Sequence, residues 1–328
     1  RYIGYNPYRE EDRTIHEFPC YSFILGDLHA HVVNIMFVLL VIALLYVWLR
    51  GVRKKTVPVD VTMKEKGFWK EQLFMPHLLV VSVILGMFQW TNFWDFVIYY
   101  TVTLGTVLFA NIIRFQGKIK KILAVTVAQM LEIYLIAYLV ILPFTLQFDT
   151  MVDGVGIAKY HSYFYQLMVL WGLPAVLVIT FIAAILWEKL RNMEHKSLYR
   201  LMKVIRTADL FAILLGICAI GLVMIPELVY VRDIYENGNA RANTMFKLTY
   251  QAYIIFALTM GYGIFRLLVV SKQKLFKIIS GICLFFLTWT VGYFGISVDS
   301  WFGNVLDTSK YQGLYALGYL ETDFPEDA

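Results

Sequence analysis

The residues best equipped for chemistry lie in Glu17-Phe18-Pro19-Cys20-Tyr21-Ser22-Phe23-Ile24-Leu25-Gly26-Asp27-Leu28-His29-Ala30-His31. The run Asp27-x-His29-x-His31 brings a carboxylate and two imidazoles within five residues, with Glu17 shortly before them. Such a set can supply a general base, or a divalent-metal site with Asp27, His29 and His31 as ligands. On a helix, Asp27 and His31 share a face and His29 points away. In an extended stretch all three point the same way. A plainer reading has Asp27 capping a helix that starts at Leu28, with the histidines at lipid-headgroup level.

A second group runs from Pro226-Glu227-Leu228-Val229-Tyr230-Val231-Arg232-Asp233 to Arg241-Ala242-Asn243-Thr244-Met245-Phe246-Lys247-Leu248-Thr249-Tyr250-Gln251. Arg232, Arg241 and Lys247 suit an anionic ligand, because a guanidinium can grip phosphate oxygens in a two-pronged fork. Lys247, Tyr250 and Gln251 share one helix face by their i, i+3, i+4 spacing. The competing reading is a local ion-pair set among Glu227, Arg232, Asp233 and Arg241. Asn92, Trp94 and Asp95 join two apolar runs almost without a loop; Asp95 sits where a helix N-terminus favours negative charge. Glu132, with Gln129 one turn earlier, falls mid-run, ~16 Å from either end at 1.5 Å per residue. A charge at that depth needs a partner or a proton. The stretch 143–164 adds weaker signals: Asp149, Asp153, Lys159 and His161.

The elements that must carry these residues follow from composition. Hydrophobic residues make up 59% of the 328 positions and charged residues 16%, and the mean hydropathy is +0.62. Soluble domains run near 45–50% apolar and about 25% charged. A soluble enzyme, a disordered chain and a nucleic-acid-binding domain are therefore excluded. The fold class is all-α, a polytopic transmembrane helix bundle. Eight spans are expected, near 32–49, 73–90, 93–112, 121–142, 165–187, 209–226, 245–269 and 275–296, the second marginal in length for a bilayer. Pro58, Pro76, Pro143, Pro174 and Pro226 mark helix ends or kinks.

Charge orients the spans. Segments 50–71, 113–121, 188–206 and 266–277 hold 21 of the 29 Lys and Arg residues, and eight alternating spans bring all four to one side. The positive-inside rule makes that side cytoplasmic. Residues 1–31 then form an extracytoplasmic segment, 32–296 the membrane domain and 297–328 an extracytoplasmic tail, in the plasma membrane. The polar motifs fall outside. Cys20, Cys218 and Cys283 imply no disulfide framework, and no common zinc spacing or phosphate-binding loop is present. The opening at Arg1 and the ending Phe324-Pro325-Glu326-Asp327-Ala328 read as those of a piece of a longer protein.

These motifs resemble the YYY-type membrane proteins of bacteria and archaea, an uncharacterised family built on domain of unknown function 2298. The resemblance is carried by Glu17-Phe18-Pro19-x-x-Ser22-Phe23, Gly26-Asp27-Leu28-His29-x-His31, Asn92-x-Trp94-Asp95, Glu227-x-x-Tyr230-x-Arg232-Asp233, Arg241-x-Asn243-Thr244-x-Phe246-Lys247 and Gln251-Ala252. Leu306-Asp307 and Gly313 fit the family's segment after its last span. Ala242 stands where many members have Met. The family implies an earlier, N-terminal membrane half of the same protein, with which this chain would pack.

The family's layout is similar to that of GT-C-type glycosyltransferases, which take a sugar from a polyprenyl phosphate at an extracytoplasmic site. That analogy implies a GT-C-like transferase. Asp27 would be base or metal ligand, His29 and His31 would assist, and Arg232, Arg241, Asn243, Lys247, Tyr250 and Gln251 would bind the donor phosphate. Glu17 would join the catalytic group, while Asn92, Trp94, Asp95, Glu132, Glu227 and Asp233 would support it. Partners would be the lipid bilayer and the polyprenyl-phosphate sugar, with no nucleic acid. Two rivals remain open. One is a transporter or flippase of an anionic lipid-linked substrate, motivated by Glu132. The other is a metal-dependent hydrolase on Asp27, His29 and His31.

Overall fold

The computed structural model describes residues 14–55, 57, 61–149, 154–194, 196–233, 236–303 and 325–326. Among these, helices dominate: α1 (Pro19–Ile24), α2 (Ala30–Val33), α3 (Ile35–Val52), α4 (Phe68–Gln72), α5 (Pro76–Thr91), α6 (Phe93–Arg114), α7 (Ile119–Thr145), α8 (Phe164–Arg191), α9 (Leu198–Val204), α10 (Thr207–Leu228), α11 (Glu236–Asn239), α12 (Ala242–Phe265), α13 (Lys274–Thr290) and α14 (Gly292–Phe302). A π-helical turn, Arg266–Val270, extends α12. The two short strands β1 (Val155–Ile157) and β2 (Val229–Val231) pair antiparallel, with Gly156 opposite Tyr230.

Among the described residues, seven helical stretches are long and apolar enough to cross a bilayer: Ala30–Val52, Phe93–Arg114, Ile119–Thr145, Phe164–Arg191, Thr207–Leu228, Ala242–Val270 and Lys274–Phe302. The chain is an all-α polytopic bundle in a lipid bilayer. The expected second span is the shorter helix α5, of 16 residues. Its shortness has a structural cause. The backbone N–H of Phe74 donates to Glu132 Oε1 (2.7 Å), and Gln129 Nε2 donates to the carbonyl of Gln72 (2.8 Å). Glu132 lies 13 residues into α7, ~20 Å along its axis. The segment preceding α5 thus dips to mid-helix depth, and α5 needs fewer turns to reach the far end.

The last expected span is not one continuous helix. It breaks at Val291, between α13 and α14, and runs to Phe302, past the expected boundary at 296. Leu306, Asp307 and Gly313 of the expected tail, and Asp153, lie outside the described residues. Pro143 and Pro226 sit in the last turns of α7 and α10, near their ends, while Pro174 sits inside α8, as membrane helices allow when neighbours satisfy the freed backbone groups.

The main apolar cluster is drawn from α3, α5, α6, α7, α8, α10, α12 and α13, and a smaller one joins Phe68, Phe115, Ile122 and Val125. The pairings α10 with α12 and α5 with α7 are the most extensive. In the second, a Cβ at Gly86 would stand 2.7 Å from Val140 Cβ and 2.8 Å from the Ala137 carbonyl, so only glycine permits this approach. The opposite face of α7 carries Leu123, Val127, Leu131, Leu135 and Leu139, all exposed at i, i+4 spacing. Such a stripe suits acyl chains and not water. The alternation of helices gathers the basic segments at one end of the bundle and residues 14–31, 91–95, 154–163 and 228–247 at the other. These are called below the basic end and the motif end.

Candidate functional site at the motif end

The site is built first by a turn. Pro19 occupies the first turn of α1, where its missing N–H is not needed. Gly26 ends α1 with φ of +64°, the left-handed conformation that glycine adopts without cost. The N–H of Gly26 donates to Phe23 O (3.3 Å) and that of Asp27 to Ser22 O (2.9 Å). This paired closure of a helix C-terminus reverses the chain. It folds Asp27 back over Glu17 and delivers His31 to the same point one turn into the first span.

Glu17, Asp27 and His31 each offer a ligand atom, all within 4.8 Å of one another. Ser22, fully buried, donates to Glu17 Oε1 (2.6 Å) and accepts from the Tyr250 hydroxyl (3.3 Å), which ties the group to α12. His31 is 3% exposed and packed edge-on against Phe246 and Tyr250, with centroids 4.9 and 4.6 Å away. Neither of its ring nitrogens has a hydrogen-bond partner. The Lys247 ammonium sits 5.0 Å from the Phe246 ring centroid and feels the charges of Asp95, Glu17 and Asp27.

His29 is not part of this trio. Its side chain is largely exposed, and both its backbone N–H and its Nδ1 contact Asp27 Oδ1. Of the expected residues Asp27, His29 and His31, the fold gathers Asp27 and His31 with Glu17, while His29 bonds Asp27 and its ring lies 5.7 Å from that of His31. The chain from 27 to 29 is neither helical nor extended, so neither periodicity applied. Burial would raise the Asp27 pKa, but the His29 hydrogen bonds outweigh it and hold the carboxyl below the usual carboxylate range.

Behind the trio lies a second polar layer. Asp95 is fully buried; it accepts from Asn34 Nδ2 (2.9 Å) and Gln251 Nε2 (2.7 Å), and Gln251 accepts from Tyr99 (2.8 Å). Asn34 also donates to Thr91 (3.0 Å). These bonds tie α6 to α12 and, through Asn34, to the start of the first span. Asp95 is therefore not a solvated helix cap. Asn92 is buried beside it and Trp94 packs partly buried against the core.

Arg241 points elsewhere. It donates to Glu227 Oε2 (2.9 Å) and the Pro226 carbonyl (3.2 Å), and both partners of the ion pair are buried. Glu227 also accepts from Ser162 N (2.7 Å) and Oγ (2.6 Å). Asp233 accepts from Asn243 Nδ2 (2.9 Å), and the Arg232 side chain is exposed with its N–H on Gly154 O (2.8 Å). The ion-pair reading thus holds for Arg241 and Glu227, and Lys247 stands where Glu17, Asp27 and Asp95 act on it. His16, beside Trp171 and Thr249, is drawn down to a pKa of about 4 chiefly by burial, with Glu227 raising and Arg241 lowering it.

Sequence reasoning missed Ser22, Asn34 and Ser162, which hold Glu17, Asp95 and Glu227 in place, and Thr91, which in turn holds Asn34. Ser22 alone had a signal, as part of the Glu17–Phe23 motif. Glu132 stands apart, in mid-bundle, bound to Phe74.

The family described as uncharacterized membrane protein (DUF2298) matches residues 1–208 and 198–256. The chain belongs to this family. No curated protein and no solved structure matches it. The matched residues include every side chain of the site just described, from Glu17 to Gln251.

Proposed function

We propose that the chain is the site-bearing part of a plasma-membrane transferase whose motif end faces outward and takes a sugar from a polyprenyl phosphate, in the manner of GT-C-type enzymes. The single observation that carries this reading is the convergence of Glu17, Asp27 and His31 with Lys247 at the mouth of the first span. A lipid phosphate arrives at that depth of the bilayer. Outward placement is supported by the basic residues gathered at the opposite end.

In the proposed step the acceptor hydroxyl oxygen attacks the anomeric carbon as the bond from that carbon to the phosphate oxygen breaks. The bond's electron pair leaves with the lipid phosphate, and the hydroxyl proton passes to the Glu17–Asp27 carboxylate pair. Lys247 stabilises the charge that grows on the departing phosphate. Tyr250, through Ser22, fixes Glu17. Asp95, Gln251 and Asn34 hold α12 so that Lys247 meets the acidic group.

Reconstituted full-length protein supplied with polyprenyl-phosphate sugar tests this. Asp27→Asn should lower turnover at least 100-fold. Lys247→Met should raise donor KM as well as lower turnover. Transfer that survives both substitutions at the wild-type rate contradicts the reading.

A further inference from the structure

We infer that Glu17, Asp27 and His31 form a binding site for one divalent cation. The inference deepens the transferase reading and rests on it for the ion's use, although the binding can be measured alone.

Three observations support it. First, the chemistry of the donor set is mixed: one imidazole and two carboxylates. Mn²⁺ and Zn²⁺ take that combination, whereas an all-oxygen set would favour Ca²⁺ or Mg²⁺. The ligand atoms lie within 4.8 Å of one another. Around an ion bound at roughly 2.0–2.2 Å they would close to about 3–4 Å, which small side-chain rotations of Glu17 and Asp27 supply.

Second, His31 is 3% exposed and neither ring nitrogen has a partner. A buried N–H or lone pair left unsatisfied costs about 1–3 kcal/mol. Its ring otherwise lies against those of Phe246, Tyr250 and His29, Lys247 acts on it electrostatically, and the two carboxylates offer oxygens within 4.8 Å of it. A metal ion on one nitrogen removes that cost; an apolar residue there would have avoided it.

Third, the charges do not balance without an ion. Glu17, Asp27 and Asp95 all act on the one ammonium of Lys247, and no carboxylate pairs with it among the described residues. Three carboxylates against one cation would repel a phosphate. A dication offsets the excess and turns the pocket into one that attracts it. Glu17 and Asp27 are also anchored on their outer sides, by Ser22 and His29 respectively, as carboxylate ligands to metals usually are.

The test uses the full chain in detergent and MnCl₂ as probe, with bound Mn²⁺ read from the loss of the free-ion electron paramagnetic resonance signal. One Mn²⁺ per chain is expected, displaced by Zn²⁺. His31→Ala should weaken binding more than 100-fold. Glu17→Gln should do the same while keeping an oxygen for Ser22, so a folding defect does not account for it. His29→Ala should cost no more than about tenfold, as loss of an orienting neighbour does. Wild-type uptake no greater than that of the Glu17→Gln/His31→Ala double variant overturns the site, as does equal loss in His29→Ala and His31→Ala. Stoichiometric Mn²⁺ binding without sugar transfer would leave the ion site standing and remove the transferase reading. Transfer unaffected by a chelator, with no ion bound, would remove the ion site alone.

Discussion

At the scale of single residues, Arg241 is decided by burial. Its guanidinium and the Glu227 carboxylate are almost wholly out of water, and each is held by further bonds. Removing one partner leaves an uncompensated buried charge, a loss of about 3–5 kcal/mol, whereas removing both together costs far less. Arg241→Ala should therefore lower the thermal midpoint in detergent strongly, and Arg241→Met with Glu227→Gln should recover much of it. If Arg241→Ala is as stable as wild type and only activity falls, Arg241 is a ligand-binding group after all. From the sequence, Arg241 and Lys247 were equivalent: both cations, both on the outer face, six residues apart. What separates them is Glu227, brought to Arg241 by the strand pair and the end of α10. Pairing between elements is not written in local spacing. The Glu17–Asp27–His31 group was half legible for the same reason. Its residue types were plain, but the Gly26 turn decides that Glu17 meets Asp27 and His31.

At the scale of elements, the informative contact is between α7 and the segment entering α5. Glu132 in mid-span looked like a station on a substrate path, since an isolated charge there costs several kcal/mol. Its carboxylate instead accepts the Phe74 N–H beside a second side-chain-to-backbone bond from Gln129. The pair fixes where α5 begins. Glu132→Gln retains an oxygen acceptor and should leave stability within ~0.5 kcal/mol and transfer unchanged. Glu132→Leu strands the N–H and should cost about 1–3 kcal/mol in detergent unfolding. A Glu132→Gln variant that folds normally yet loses function would restore the path reading. Hydropathy located all the other spans within a few residues, because apolar runs of bilayer length leave few alternatives. It placed the second over 73–90, within a few residues of α5, whose shortness depends on the dip before Pro76, and it ended the last at 296, short of Phe302.

At the scale of the whole molecule, the account requires two ends of opposite function. The basic end is tied by a buried Asp209–Arg266 pair (2.9 Å) and by Arg53, which donates to the carbonyls of Met202, Lys203 and Ile205. These are structural contacts within the bundle. The motif end holds the acidic group and Lys247. In a chain whose three cysteines are replaced by serine, an impermeant thiol reagent applied to intact cells should label Lys159→Cys and spare Lys196→Cys. The reverse pattern would turn the molecule over and remove the extracytoplasmic site. Whether lipid phosphate meets the protein at the acidic group is the central question, and photolabelling answers it most directly. A polyprenyl phosphate carrying a diazirine next to its phosphate, bound to the full-length protein and mapped by mass spectrometry, should mark residues 14–31 and 242–251 and lose that label in Lys247→Met. Labelling concentrated on 61–71, 114–121 or 196–206 at the basic end would contradict the account.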